Sequence, residues 1–187
     1  MSKIPASLSA FGWTRIATLG AIAAVALYRI APHPPNFTPV GAMFVLGGLY
    51  LGRNLAWMAA PFLGLVVSDT VLNLAYDGRA IHPGRVFDYL AFALVGLAAR
   101  WAAERPLGVR LGAVVAAPVI FFLASNFGVW AGGTMYPLTP AGLAECYAAA
   151  LPFFRGTLIG DWLFAGAGLL MLEALRSRET RAAAALA

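Results

Sequence analysis

Charge is the first thing this sequence lacks. Of 187 residues, 11% are Asp, Glu, Lys or Arg and 61% are hydrophobic, whereas soluble domains carry about 25% charge. Too few polar side chains remain to cover a water-facing surface. The chain therefore reads as an all-α, multi-pass membrane protein whose main partner is the lipid bilayer. Cysteine is almost missing too. Cys146 stands alone, which excludes an internal disulfide and a multi-cysteine metal site. Only two histidines occur, His33 and His82; a metal held between them is conceivable, but no metal site is assigned. Catalytic signatures are absent as well: no nucleophile elbow, no HExxH and no P-loop. No catalytic residue or cofactor is assigned, and any energy from ATP would have to come through a partner. The net charge of +5 lies on no basic stripe of a solvated fold, so nucleic acid is not an expected partner. No polar linker or low-complexity tract divides the chain, and residues 1–187 read as a single transmembrane domain.

Six apolar segments are present, at about residues 13–30, 39–51, 55–76, 86–103, 111–131 and 149–175. They predict six transmembrane helices. The first follows Lys3 and Arg15 without a convincing cleavage site and reads as a retained helix. The second is short, with a rise of about 20 Å against a hydrocarbon core of about 30 Å. Short helices fed by irregular backbone recur beside membrane binding sites. The terminal AAAALA reads as a frayed tail.

Charge placement orients the segments. With both termini cytoplasmic, nine of the 13 Lys and Arg residues fall inside: Lys3, Arg15, Arg53, Arg100, Arg105, Arg110, Arg176, Arg178 and Arg181. Arg29, Arg79, Arg85 and Arg155 fall outside. The excess has the sign the positive-inside rule requires. The connections RIAPHPPNFTP, YDGRAIHPGR and GGTMYPLTPAGLAEC then share the outer face, which predicts a binding face outside and a docking face inside.

Four prolines stiffen residues 29–43. Each fixes φ, removes a backbone donor and extends the residue before it. A stiff loop loses little entropy on binding, so Asn36, Phe37 and Thr38 read as a preorganised lid; the alternative is a structural turn. Asp69 lies deep in the third segment, with Asn73 one turn on and on the same face. A mid-membrane carboxylate must be paired or hydrated. Asp69 therefore either lines a polar cavity or makes a structural contact, with Arg29 or with a helix end. Asn126 and Trp130 repeat the i, i+4 spacing below a glycine-rich exit, a face that suits a small cyclic ligand, and Trp130 also fits an interfacial anchor. Tyr147 adds an aromatic wall. Cys146 is either a small buried residue or one soft ligand to a metal already held in a cofactor. Arg155 and Asp161 sit on opposite helical faces, so Asp161 should pair across helices. Ala17 and Ala21, four apart, let another helix approach closely, as do Gly48 and Gly52.

PHPPNFTPVGAM, SNFGVWAGGTMYPLTPAGLAECYAAALPFF and GTLIGDWLF resemble an uncharacterised family of bacterial six-helix membrane proteins. That family is similar to the S components, the substrate-binding subunits of energy-coupling factor transporters. The resemblance implies an S-component-like bundle in the bacterial inner membrane and uptake of a vitamin-like small molecule. It makes the first loop a lid and the Ala17/Ala21 face a docking surface for a membrane scaffold with ATPases. It also brings in cobalamin, with Cys146 or His82 as the cobalt ligand. Two other readings remain open: a structural subunit of a membrane complex, and a membrane enzyme using Asp69, Asp161 and Cys146. The enzyme reading requires at least two of those side chains to converge.

Overall fold

A computed structural model describes residues 12–34, 36–37, 39–52, 54–76, 78, 80 and 85–185. Among them are six α-helices: α1 (Trp13–Ile30), α2 (Val40–Tyr50), α3 (Ala59–Tyr76), α4 (Val86–Ala102), α5 (Leu107–Ala131) and α6 (Pro140–Ala184). A 3-10 turn, Leu55–Met58, leads into α3. Three helices, α3, α5 and α6, are long and apolar enough to cross a membrane. Thr38 and His82 lie outside the described residues.

The short helix is the centre of the bundle. All eleven residues of α2 are buried, and α1, α3, α4, α5 and α6 all pack on it. Its sequence, VGAMFVLGGLY, is apolar on every face, as a helix enclosed by other helices must be. At about 16 Å it is shorter than a bilayer core. An aromatic ladder runs through it: Phe44 meets Phe62 of α3 edge-on at 4.8 Å and stacks on Phe92 of α4 at 5.2 Å, and Phe92 stacks on Phe121 of α5 at 4.3 Å. The backbones of α2 and α4 approach closely. A Cβ on Gly48 would lie 2.6 Å from the Gly96 carbonyl oxygen.

The last helix corrects two sequence expectations. It starts at Pro140 and not near residue 149, because Thr139 is an N-cap: its hydroxyl accepts from the Gly142 amide at 3.1 Å, with Pro140 at the first helical position. This Thr-Pro start is a standard helix opening, and it shortens the expected loop to residues 132–139. Helix α6 also runs into the alanine-rich end, through Ala184, as befits the residue of highest helix propensity. At 45 residues its length is about 68 Å, more than a bilayer core requires.

Helix α6 supplies what α1 and α2 lack. Neither has a side-chain cap of its own, and four amides at each helix start have no intrahelical partner. Glu179 of α6 accepts from the Thr14 amide at 3.1 Å and the Thr14 hydroxyl at 2.7 Å, at the start of α1. Asp161 of α6 accepts from the Ala42 amide at 3.3 Å, at the start of α2. Carboxylates at helix N-termini complement the macrodipole. Near the other end of α2, the Tyr50 hydroxyl donates to Glu173 at 2.6 Å, and Glu173 also pairs with Arg110 of α5. Tyr50→Phe is expected to lower stability by about 1.5 kcal/mol, the value of a hydrogen bond to a charged acceptor. Thermal unfolding in mild detergent measures it, and an unchanged midpoint would show that the bond contributes nothing.

Candidate functional site

The chain direction of the helices sorts the connections into two sets. The C-terminal ends of α1, α3 and α5 and the start of α4 lie at one end of the bundle, here called the loop end. The turn between α4 and α5 and the C-terminal part of α6 lie at the other. At the loop end, charged side chains of three helices meet on one carboxylate. Asp69 of α3 is 2% exposed and Arg29 of α1 is 8% exposed, and the two form an ion pair. Arg85, just before α4, donates to Asp69 Oδ1 from Nη2 at 2.6 Å and to Oδ2 from Nε at 3.3 Å. The Tyr89 hydroxyl donates to Oδ2 at 2.8 Å. Arg29 also donates to the Ser68 hydroxyl at 2.9 Å, and Ser68 donates to the Leu65 carbonyl at 3.0 Å. Arg85 reaches Asp88 at 3.4 Å.

The arrangement balances two guanidinium groups against two carboxylates. The fork from Arg85 is bidentate, the strongest geometry for such a pair. Burial alone would lower the pKa of Arg85, but the hydrogen bond and charge of Asp69, with Asp88 beyond, raise it, so the guanidinium stays charged. Arg29 and Asp69 are enclosed, while the Arg85 side chain is 32% exposed. Arg85 is thus the cation of this cluster that an incoming molecule can reach. Of the two sequence readings of Asp69, the ion pair with Arg29 is present. Arg85 and Tyr89 were not singled out by sequence. Their i, i+4 spacing at the start of a segment was the available signal.

The expected site residues fall into three groups. Asp69 belongs to the charged cluster, and Asn73 donates from there to the Ala80 carbonyl at 3.4 Å. Asn36 and Phe37 lie against α6. Asn36 holds a left-handed φ of 57°, which asparagine tolerates better than most residues, and its carbonyl accepts from Thr157 at 3.4 Å. The Phe37 ring meets Phe164 edge-on, with centroids 6.1 Å apart. Tyr28 touches both Phe164, at 5.5 Å, and His33, at 5.7 Å. The proline-stiffened segment is therefore seated on α6 by aromatic contacts.

The third group lies between α5 and α6, where its polar atoms are taken up by backbone carbonyls. Asn126 donates to Phe122 at 2.8 Å, Trp130 to Pro137 at 2.9 Å and Tyr147 to Leu123 at 2.7 Å. Cys146, 2% exposed, donates to the Asn126 carbonyl at 3.4 Å. Among the described residues no three His, Cys, Asp or Glu side chains gather as a metal site would require. Asp161 does reach across helices, but to a backbone amide of α2 and not to an opposite charge. Its Oδ2 is buried without a hydrogen-bond partner among the described residues. Asp69, Asp161 and Cys146 thus have separate partners, and among the described residues no hydrogen bond joins any two of them. On α1, Ala17 and Ala21 are half-buried against the core, while Gly20 and Ala24, also four apart, face outward.

Residues 11–183 match a family of unknown function, DUF6580. No curated protein and no solved structure matches the chain.

Proposed function

We propose, for a chain that belongs to this family over nearly its whole length, that it is a membrane-embedded substrate-binding subunit for uptake of a vitamin-like small molecule. In this reading it crosses the bacterial inner membrane six times with both termini cytoplasmic, and it resembles an S component of an energy-coupling factor transporter. The observation that carries the reading is the Arg29–Asp69–Arg85–Tyr89 cluster at the loop end. Ionisable groups inside a membrane bundle are costly and mark substrate pathways. Here they converge from three helices at the end that holds the proline-rich connections, with Arg85 partly open. An anionic group on the ligand would be received by Arg85. A membrane scaffold with ATPases would supply the energy and would meet α1 along Gly20 and Ala24, since Ala17 and Ala21 face the core of the bundle. The scattered partners of Asp69, Asp161 and Cys146 favour binding over catalysis. The burial of Cys146 speaks against a cobalt ligand at that position.

The test is native mass spectrometry of the protein purified in mild detergent, with extraction of whatever small molecule it retains. A stoichiometric ligand is expected in the wild type. Arg85→Gln is expected to lower its retention about tenfold, the loss of one charge-assisted contact. A constant protein partner with no small molecule would replace this reading with that of a structural subunit.

A further inference from the structure

A second charged site lies at the opposite end of the bundle, away from the cluster on Asp69. A cavity of about 420 Å³ opens between the α4–α5 turn and the C-terminal part of α6. Arg105 and Arg110 line it from one side, and Arg176 and Arg181 from the other. Ser177 adds a hydroxyl, the Thr180 hydroxyl donates to the Arg176 carbonyl at 2.9 Å, and Glu104 and Glu173 are the acidic residues of the lining. Four cations thus face two anions, and Glu173 is already engaged by Tyr50 and Arg110.

The spacing on α6 is that of a single helical face. Glu173, Arg176, Ser177, Thr180 and Arg181 follow the i, i+3, i+4, i+7, i+8 rule, so both arginines share a face with Ser177. Arg178 is not part of the lining. Arg110 keeps a buried Nε with no hydrogen-bond partner among the described residues. A buried guanidinium donor without an acceptor is unusual and calls for one. Helix α5 starts directly after Arg105 and Pro106, with no acidic residue in its first turn and no side-chain cap.

The surroundings suit a cavity at the level of lipid headgroups. Arg105 lies over the Trp101 ring, 4.8 Å from its centroid, and Trp101 is 63% exposed. An exposed tryptophan at the end of an apolar helix marks the membrane–water boundary. Topogenic arginines need only be numerous; they need not share a cavity with hydroxyls.

We propose that this cavity binds a phosphate group, held by Arg105, Arg110, Arg176 and Arg181 with Ser177. Arginine forks match phosphate oxygens in the way they match carboxylates. The phosphate is carried by an anionic lipid headgroup or by a soluble phosphate compound. The inference does not depend on what the loop end binds.

The full-length protein in phosphatidylcholine nanodiscs tests it in two arms. In one, phosphatidylglycerol is titrated into the discs and bound lipid is counted by native mass spectrometry. In the other, inorganic phosphate and ATP are added to discs of phosphatidylcholine alone and followed by thermal shift. Saturable binding in the first arm alone assigns the site to a headgroup, and a shift in the second alone assigns it to a soluble phosphate. The R176Q/R181Q double variant is expected to weaken whichever binding is found by about thirtyfold, since each interfacial arginine contributes about a factor of five. Arg178→Gln, with the same charge change per residue outside the cavity, should leave it within about twofold. If the double variant does not fold, Ser177→Asp places one negative charge in the cavity and should weaken the same binding. No binding of any probe, or an equal loss in Arg178→Gln, would overturn the proposal.

Discussion

Replacing Asp69 by Ala is expected to lower the unfolding free energy by about 3–5 kcal/mol, the cost of leaving a buried charge without its partner. The magnitude follows from enclosure. Arg29 is 8% exposed and Asp69 2%, so water cannot replace the lost carboxylate. The change also strips Arg85 and Tyr89 of their shared acceptor. Asp69→Asn keeps the shape and one acceptor oxygen but still leaves two guanidinium groups against a neutral amide. A double variant, Asp69→Leu with Arg29→Met, removes the enclosed pair together and should recover part of the loss, because replacing both buried charges by apolar groups of similar size is often neutral, while Arg85 keeps Asp88 at 3.4 Å. Thermal and denaturant unfolding in mild detergent decide it. If Asp69→Ala costs less than about 1 kcal/mol, the pair behaves as an exposed one, and the case for a buried charged cluster at the loop end fails.

The second large effect is expected at Gly48. Its missing side chain is where α2 and α4 touch: a Cβ would sit 2.6 Å from the Gly96 carbonyl oxygen and 2.9 Å from both the Ala99 Cβ and the Arg100 amide nitrogen. Two of these neighbours are backbone, which cannot rotate away. Gly48→Ala should therefore cost about 1–3 kcal/mol by overpacking, although alanine is the better helix former. Gly20→Ala on α1 is the internal comparison. Nothing lies within 4 Å of its Cβ position, so intrinsic propensity should decide and stability should rise by up to about 1 kcal/mol. Opposite signs for the same chemical change would confirm that packing against α4 governs Gly48. A gain at both positions would show that the two helices do not meet there.

The limits of the sequence reading follow from which interactions are local. Helices α1 to α4 begin and end close to their apolar segments, because composition sets those boundaries. The start of α6 precedes its apolar segment, because Thr139 and Pro140 open the helix by capping and not by hydrophobicity. The central place of α2 has no sequence signature, since a helix that is apolar all round shows no preferred face. Asp161 and Glu179 could not be recognised as caps, because their partners are backbone amides of Ala42 and Thr14, more than a hundred residues away. Arg29 was legible as a partner for Asp69, since a buried carboxylate requires a cation. The split of Asn36, Asn73 and Asn126 among separate neighbourhoods was not legible. Periodicity places a residue on a face of its own helix and says nothing of which helix that face meets.

The enclosure of α2 also bears on how the chain is made. Ribosomes deliver helices in order, so α2 leaves the exit tunnel ahead of α3, α4, α5 and α6. At about 16 Å it is too short to hold itself across a bilayer core of about 30 Å. It cannot be handed to the lipid as a finished unit. The amide it bonds to Asp161 waits 119 residues for that partner. The centre of the bundle is therefore translated early and secured last, and completion of the fold belongs to the final helix.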